Sequence, residues 1–244
     1  MKRKTERTNP QPTISVCMTT FNGAQFVSQQ LESILAQLPL SAELIVVDDA
    51  STDETVSLIE RFEDPRIKLY RNKTNVGVVK SVERALMTST KEIIFTADQD
   101  DVWLLNKIDT VLNAITQNTS LVVHDAIVTD QQLLPQPLSY FDRLSPSKNP
   151  LRNLFKNTLI GAMMAFPRSL INEALPFPER IGMHDIWLGL VASRTGAIEL
   201  LPDKLIYYRR HINNASPTLS VSKRPMNRRI EERLSTLYHL IRIH

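Results

Sequence analysis

Three carboxylates crowd one short stretch of this chain, where residues 98–101 read Asp-Gln-Asp-Asp. They follow the apolar run 93–97, so they stand at the end of a predicted buried strand. Carboxylates this close repel one another and are expensive to bury. A divalent cation between them removes both costs, because hard cations prefer oxygen ligands. The cluster predicts a metal site suited to holding phosphates; an acidic helix N-terminus is the alternative, above all for Asp101.

A second acidic motif follows the second predicted strand, where residues 48–53 read Asp-Asp-Ala-Ser-Thr-Asp. A carboxylate of Asp48 or Asp49 could accept a hydrogen bond from a nucleotide base or a ribose. A strand-to-helix turn with Asp, Ser and Thr as caps explains the same residues, with Ser51 or Thr52 as the helix N-cap. Local sequence leaves both readings open.

Two further motifs lie in the second half of the chain. Asp185, directly after His184, starts a predicted helix, where it could act as a general base on a hydroxyl or simply cap the helix. His211 follows Arg209 and Arg210 at the end of a predicted strand. The histidine could ligate a metal or meet a phosphate, and either arginine could pair with phosphate oxygens.

Strands and helices alternate through the first half of the chain. The predicted strands are 14–18, 44–47, 67–70, 93–95 and 121–123, and the helices between them are 23–37, 53–62, 78–87 and one through Ile108 and Leu112. This order predicts an α/β fold with a mostly parallel sheet and helices on both faces. Ligands bind at the carboxyl ends of such strands. Residues 19–22, 48–49 and 98–101 should therefore meet in one crevice.

The pattern changes after residue 128. Residues 129–150 are predicted to form a long connection. A strand at 161–166, a helix at 184–192, short strands at 197–201 and 204–208, and an amphipathic helix within 222–243 follow.

Composition bounds the class of protein. The 244 residues, 42% apolar and 23% charged, suit one large α/β domain or two small ones. The single cysteine, Cys17, is expected to be a buried thiol in a reducing compartment. No membrane-spanning segment and no export signal are predicted. The net charge is +3, and these basic residues crowd the C-terminal segment: Lys223, Arg224, Arg228, Arg229, Arg233 and Arg242.

Missing motifs exclude several chemistries. The chain has neither the Gly-x-Gly-x-x-Gly of dinucleotide binding nor a Gly-Lys-Ser/Thr phosphate loop. It has no paired-cysteine zinc spacing and no Gly-x-Ser-x-Gly nucleophile turn.

Taken in order, the motifs resemble those of the family-two inverting glycosyltransferases, which have the GT-A fold. The resemblance covers roughly residues 13–215 and rests on segments 14–23, 44–53, 75–77 and 98–103. Segments 184–187 and 208–211 resemble the bacterial rhamnosyltransferase-type enzymes of surface polysaccharide synthesis. The chain departs from the family at Phe21, where Tyr is common, and in its short C-terminal part.

The resemblance implies a role for each motif. The residues around the nucleotide-sugar would be Thr19, Phe21, Asp48 or Asp49, Asp98 and Gln99. Asp100, with His211 nearby, would hold Mg2+ or Mn2+ against the diphosphate, and Asp185 would be the catalytic base. Further contacts to phosphate or acceptor would come from Lys80, Gly161, His184, Trp187 and Arg209. A surface helix position is the alternative explanation of Lys80.

The implied activity moves a sugar, with inversion, from a nucleotide-diphosphate sugar such as dTDP-rhamnose or a UDP-sugar to a glycan or lipid-linked acceptor. A nucleotidyl or phosphoryl transferase using the same acidic site, and a non-catalytic nucleotide-sugar-binding module, are the alternatives. The implied organisation is a flexible arm (1–12), a nucleotide-sugar-binding half (13–128), an acceptor-binding and catalytic half (129–215) and a basic amphipathic helix (216–244). The expected location is cytoplasmic, with a peripheral membrane contact through the C-terminal helix left open and no nucleic-acid partner.

Overall fold

The computed structural model describes residues 12–212, 214 and 225–242. The strands are β1 (Ile14–Thr20), β2 (Glu43–Asp48), β3 (Ile67–Arg71), β4 (Ile93–Asp98), β5 (Val102–Trp103), β6 (Thr119–Thr129), β7 (Met164–Pro167) and β8 (Ala197–Arg209). The helices are α1 (Val27–Leu35), α2 (Thr55–Glu60), α3 (Val78–Thr88), α4 (Lys107–Ala114), α5 (Tyr140–Leu144), α6 (Pro150–Phe155), α7 (Arg168–Ala174), α8 (His184–Thr195) and α9 (Met226–Arg242). One turn of 3-10 helix covers Gly161–Met163.

The strands form one sheet in the order β3-β2-β1-β4-β7-β6-β8-β5. Strands β1 to β4 are parallel to one another, which confirms the predicted α/β fold and the parallel pairing in the first half of the chain. Thr19 lies level with Val47 on one side and with Asp98 on the other. The carboxyl ends of the three central strands therefore meet at one edge of the sheet, as the sequence predicted.

The second half of the sheet is mixed, and it differs from the prediction in detail. The strand predicted at 161–166 begins only at Met164, after the 3-10 turn, and runs antiparallel between β4 and β6. The two strands predicted at 197–201 and 204–208 are one strand, β8. Its register against β6 shifts between His124 and Asp125, which lets Pro202 and Asp203 bulge without ending the strand. The connection 129–150 contains helix α5.

The N-cap prediction for α2 was wrong. The helix begins at Thr55, whose N–H donates to Asp53 Oδ1 at 3.0 Å. The Ser51 hydroxyl donates instead to Asp48, and the Thr52 N–H donates to Asn22 Oδ1. The turn after β2 is therefore held by Asp48 at the end of β2 and by Asn22 in the loop after β1, and neither Ser51 nor Thr52 caps the helix.

The core lies on both faces of the parallel half. Every residue of β2 is buried, because helices cover both sides of the sheet. Cys17 is buried, as expected. Within the described part of the chain, no helix has both the length and the apolar character needed to cross a membrane. Most of the predicted arm 1–12, and residues 216–224 of the predicted C-terminal helix with Lys223 and Arg224, lie outside the described residues.

A buried carboxylate ties the amino ends of the parallel strands together. Glu43 Oε1 accepts hydrogen bonds from the Ser15 hydroxyl and the Thr90 N–H, both at 2.6 Å. Lys68 Nζ lies 2.5 Å from Glu43 Oε2. Burial alone raises the pKa of Glu43, but the hydrogen bonds from Lys68, Ser15 and Thr90 outweigh it and lower this pKa to about 2. The group is therefore ionised and fully hydrogen-bonded at neutral pH.

Candidate active site

A cleft of about 390 Å³ opens at the carboxyl ends of β1, β2 and β4. Its other wall comes from the Gly161 turn, the start of α8 and the end of β8. These sequence-predicted residues line it: Thr19, Phe21, Asp49, Asp98, Gln99, Asp100, Gly161, His184 and Asp185. Residues from both halves of the chain therefore line one cleft, and a ligand bound there can contact both halves.

The two aspartates after β2 have different positions. Asp48 is buried below the cleft, where it accepts hydrogen bonds from the Thr20 hydroxyl and the Ser51 N–H. Asp49 lines the cleft. Of the two aspartates, only Asp49 is among the residues that line the cleft.

Asp49 also shapes the cleft wall. Its carboxylate accepts the N–H groups of Val76 and Gly77, at 2.9 and 2.8 Å. The side-chain amide of Asn72 donates to Asp49 Oδ1 at 2.8 Å. Gly77 has φ +89°, a left-handed value that favours glycine. The turn that starts α3 is therefore fixed against the strand end, with Gly77 on the lining of the cleft.

Gln99 holds the loop after β1. Its Oε1 accepts the Phe21 N–H at 2.9 Å, and its Nε2 donates to the Phe21 carbonyl at 3.1 Å. A Cβ at Gly23 would overlap the Gln99 carboxamide, so the glycine permits this close approach. Both hydrogen-bonding groups of the Gln99 side chain are engaged with backbone, and the exposed Phe21 ring is left beside the cleft as a surface for stacking.

The acidic cluster is as compact as its sequence suggested. Asp98, Asp100 and Asp101 each offer a carboxylate oxygen, and these oxygens lie within 4.8 Å of one another. Asp101 does not cap the following helix, because α4 starts only at Lys107. Its Oδ1 instead accepts the N–H of Arg209 at 3.0 Å. Asp101 therefore joins the cluster to the end of β8.

Burial dominates the electrostatics of the cluster. It raises the pKa of Asp98 to about 7, and repulsion from Asp100 and Asp185 adds to the effect. Burial and the neighbouring carboxylates likewise hold the pKa of Asp101 well above its usual range. Behind the cluster, fully buried Lys107 has its pKa lowered by burial to about 7, against the attraction of Asp101 and Asp98. Burial and mutual repulsion therefore destabilise the ionised forms of these carboxylates.

These properties fit a hard divalent cation. The donors are carboxylate oxygens, which suit Mg2+ and Mn2+. Asp101 Oδ2 is buried, and no hydrogen-bond partner for it is found among the described residues. A cation among Asp98, Asp100 and Asp101 would satisfy that oxygen and relieve the repulsion.

His211 and Asn214 reach this cluster from beyond β8. His211 Nε2 lies 2.8 Å from Asp100 Oδ2, and Asn214 Nδ2 donates to the same oxygen at 2.8 Å. The His211 ring also packs on Phe26, with ring centroids 4.7 Å apart. Sequence reasoning selected His211 but missed Asn214, because nothing in the local pattern around 214 marks it.

Asp185 and His184 start α8 on the opposite wall, and both are buried. Asp185 Oδ1 accepts the N–H of Ile186 at 2.7 Å, and burial raises the pKa of Asp185. His184 Nε2 packs against Gly161, where a Cβ would overlap the ring. Burial lowers the pKa of His184, which keeps the imidazole neutral. A buried carboxylate with a raised pKa is chemically suited to accept a proton from a bound hydroxyl.

Two sequence-predicted contact residues do not reach the cleft. Lys80 lies on α3 with its ammonium 2.8 Å from Glu83, and its side chain is half exposed. This agrees with the alternative explanation of a surface helix lysine. Trp187 is buried, and its indole N–H donates to the carbonyl of Ala174 at 2.8 Å. Trp187 therefore packs α8 against α7 instead of contacting acceptor.

Arg209 is the last residue of β8, Arg210 follows it, and only one of these two arginines lines the cleft. Arg209 is buried away from the cleft, which corrects the expectation that it meets phosphate or acceptor. Its guanidinium lies over the Phe26 ring and donates to the Asp100 carbonyl, the Gln131 carbonyl and Gln29 Oε1. Arg210 lines the cleft instead. This agrees with the sequence-based alternative that Arg210 pairs with phosphate, whereas Tyr208, which also lines the cleft, was missed.

The chain is similar in sequence to proteins of one enzyme family. The family model for Glycosyl transferase family 2 matches residues 15–175. WfgD of Escherichia coli, a UDP-Glc:alpha-D-GlcNAc-diphosphoundecaprenol beta-1,3-glucosyltransferase, is 26% identical over 182 residues, which cover 73% of this chain and 69% of WfgD. WcaA of Escherichia coli K12, provisionally named for colanic acid biosynthesis, is 31% identical over 158 residues, covering 62% of this chain and 55% of WcaA.

Solved structures share the fold. S. aureus TarS 1-349 in complex with UDP-GlcNAc matches with a TM-score of 0.68 at 20% identity, over 94% of this chain and 64% of TarS. The mannosyltransferase PcManGT from Pyrobaculum calidifontis, in complex with GDP-Man and Mn2+, matches with a TM-score of 0.63 at 22% identity. The match covers 96% of this chain and 65% of PcManGT. This chain thus spans a little under two thirds of the length of these neighbours. With its GT-A-like fold and a family match over most of its length, the chain belongs to glycosyl transferase family 2.

Proposed function

We propose that this protein is an inverting glycosyltransferase that moves a sugar from a nucleotide-diphosphate sugar to a hydroxyl of a glycan or lipid-linked acceptor, in bacterial surface polysaccharide synthesis. The observation that carries the proposal is that Asp98 and Asp100 of the acidic cluster and the buried Asp185 line one cleft from opposite halves of the chain. The relatives named for polysaccharide and lipid-linked acceptors support the acceptor class.

The donor is proposed to bind along the parallel half. Thr19, the Phe21 ring and Asp49 surround the space for the nucleoside, with Asp98 and Gln99 beside it. The diphosphate of such a donor is negatively charged, and Arg210, which lines the same cleft, has a guanidinium that can pair with phosphate oxygens. The complexes of TarS with UDP-GlcNAc and of PcManGT with GDP-Man support a donor of this class.

A divalent cation, Mg2+ or Mn2+, is proposed to bind to Asp100 together with Asp98 and Asp101. When bound, it supplies a Lewis acid that stabilises the charge of the leaving diphosphate. His211 and Asn214 both hydrogen-bond Asp100 Oδ2, so they would hold this carboxylate in position for the cation. The Mn2+ in the PcManGT complex supports this choice of cation.

Asp185 is proposed to act as the base. Its carboxylate takes the proton of the acceptor hydroxyl, whose oxygen forms a bond to the anomeric carbon as the bond from that carbon to the diphosphate breaks. The nucleoside diphosphate leaves with the bonding electron pair. One displacement inverts the anomeric centre, and no second catalytic carboxylate is needed, unlike in retaining hydrolases.

A donor screen followed by product analysis tests the function. We expect one of UDP-Glc, UDP-GlcNAc, GDP-Man and dTDP-rhamnose, with Mn2+, to raise the melting temperature of the protein, because a ligand at 100 times its Kd adds about 2.7 kcal/mol of stability. With acceptor, that donor should release nucleoside diphosphate. Release of sugar 1-phosphate from the same donor would identify a nucleotidyl transferase instead, and donor binding without turnover would support a binding module.

A further inference from the structure

Helix α9 turns its apolar side away from the domain. Ile230, Leu234, Leu237 and Ile241 recur at spacings of four, three and four residues, so they form one stripe along the helix. They are respectively 48%, 62%, 38% and 67% exposed. We call these four residues the α9 stripe.

The opposite side of α9 rests on the domain. Thr236 is only 3% exposed and, at about 100° per residue, lies on the other side of the helix from the stripe. Leu240 packs against the core, and its carbonyl accepts a hydrogen bond from Arg194 of α8 at 2.8 Å. A helix of a globular domain normally buries its apolar face. In α9 the face that meets the domain is the more polar one, which leaves the stripe for another partner.

Arginine–aromatic pairs border the stripe on both sides. The guanidinium of Arg233 lies 5.4 Å from the centre of the Phe155 ring, and that of Arg242 lies 4.0 Å from the centre of the Tyr238 ring. The rings of Phe155 and Tyr238 are themselves exposed. Apolar side chains flanked by aromatic rings and arginines are typical of helices that lie in a membrane interface, where guanidinium groups meet lipid phosphates.

We propose that the α9 stripe docks on the surface of an anionic lipid bilayer, with Arg233 and Arg242 on the lipid phosphates. Charge favours this occupant over a second copy of the chain. If two copies packed against each other through their α9 stripes, Arg233 and Arg242 of one copy would lie near the same residues of the other. Like charges at an interface disfavour association. Anionic headgroups neutralise the same arginines. The proposal stands apart from the transfer reaction, because lipid binding can be measured without donor or acceptor.

Vesicle flotation of the full chain tests the proposal, with phosphatidylcholine vesicles compared with vesicles that also contain phosphatidylglycerol. We expect binding to the anionic vesicles that weakens as salt is raised. The double change Leu234→Gln and Ile241→Gln should reduce binding at least tenfold, on the order expected for two apolar side chains. The double change Arg233→Gln and Arg242→Gln should reduce it by about fivefold per charge at low salt.

The matched control is Leu40→Gln, which removes a leucine that is 87% exposed in the connection before β2. It should leave vesicle binding unchanged, and circular dichroism should show all variants folded. Failure of the unaltered chain to float with anionic vesicles would overturn the proposal. So would unchanged flotation of the Leu234/Ile241 variant, or a dimer in sedimentation equilibrium that this variant abolishes.

Discussion

The backbone N–H of Arg209 donates a 3.0 Å hydrogen bond to Asp101 Oδ1, across 108 positions of sequence. The Arg209 guanidinium donates to the carbonyl of Asp100 at 2.7 Å. The end of β8 is thereby attached to the loop that carries the acidic cluster. The same attachment presents the next residue, Arg210, to the cleft. The two neighbouring arginines consequently have separable roles.

Replacing each arginine in turn should separate stability from donor binding. Arg209→Gln removes buried charge-assisted hydrogen bonds, so we expect a loss of about 2–4 kcal/mol in the free energy of unfolding. Arg210→Gln should cost less than about 1 kcal/mol of stability but raise the donor KM. Urea denaturation and steady-state kinetics measure the two effects. Equal destabilisation by both changes would show that the division of roles is mistaken.

Removing the proposed base should affect the rate more than binding. Asp185→Asn should lower kcat by about 100- to 10,000-fold and leave the donor KM nearly unchanged, since the carboxylate acts on the acceptor hydroxyl. Release of nucleoside diphosphate in the presence of acceptor is the measurement. Glu173→Gln, which alters an exposed carboxylate on α7, is the matched control and should keep full activity. Wild-type turnover by Asp185→Asn would exclude Asp185 as the base.

The raised pKa of Asp185 predicts how kcat/KM depends on pH. Burial raises this pKa above the ordinary aspartate value, and a base works only when deprotonated. Plotted against pH, kcat/KM should therefore fall on the acid side at a pH above the ordinary aspartate pKa of about 3.9. Because Asp98 and Asp101 also have raised pKa values, the profiles are recorded at saturating Mn2+, and the acid limb of Asp185→Asn should differ from that of the unaltered protein. A profile that stays flat down to pH 4 would contradict the assignment.

The acidic cluster should bind Mn2+, and loss of one of its carboxylates should weaken that binding. We expect Asp100→Asn to weaken Mn2+ binding by at least about tenfold, because it removes one charged oxygen ligand. Titration followed by the electron paramagnetic resonance signal of free Mn2+ measures this without turnover. Asp109→Asn changes an exposed aspartate on α4 and should bind Mn2+ as the unaltered protein does. Chelation with EDTA should abolish transfer, and added Mn2+ should restore it.

Glu43 should contribute to stability in a defined pH window. Its pKa is about 2 in the folded chain, against a reference value of 4.5. A lowered pKa stabilises the fold above the unfolded value and loses this contribution as the pH falls from about 4.5 toward 2. Glu43→Gln should lower the free energy of unfolding at pH 7 by about 2–3 kcal/mol. The difference from wild type should shrink toward pH 2.

Exposed Glu60 provides the control for this measurement. Glu60→Gln should change the unfolding free energy by less than about 0.5 kcal/mol at pH 7. A constant difference between wild type and Glu43→Gln from pH 7 to pH 2 would show that the carboxylate charge is not what stabilises the amino ends of the strands.

Local sequence determined which segments form the parallel half and where their chemical groups stand. Apolar runs ending in Asp48-Asp49 and in Asp98 specify buried strands with polar carboxyl ends, and parallel strands bring such ends together. The pattern of apolar residues and the alternation of strands and helices were therefore enough to predict that Asp98, Asp100 and Phe21 lie in one cleft. The position of Asp185 opposite them came from resemblance, since no local pattern relates it to the sheet.

Tertiary structure alone decided which neighbouring residue faces the cleft. Asp49 rather than Asp48, and Arg210 rather than Arg209, line it because contacts from distant segments set the orientation of each side chain. Gln29 and Gln131 engage the Arg209 guanidinium, and neither is near it in sequence. The outward turn of the α9 stripe has the same origin. The sequence determines the spacing of the stripe, but the side that faces solvent depends on how α9 packs on the domain, where Arg194 of α8 donates to the Leu240 carbonyl and Thr236 is buried.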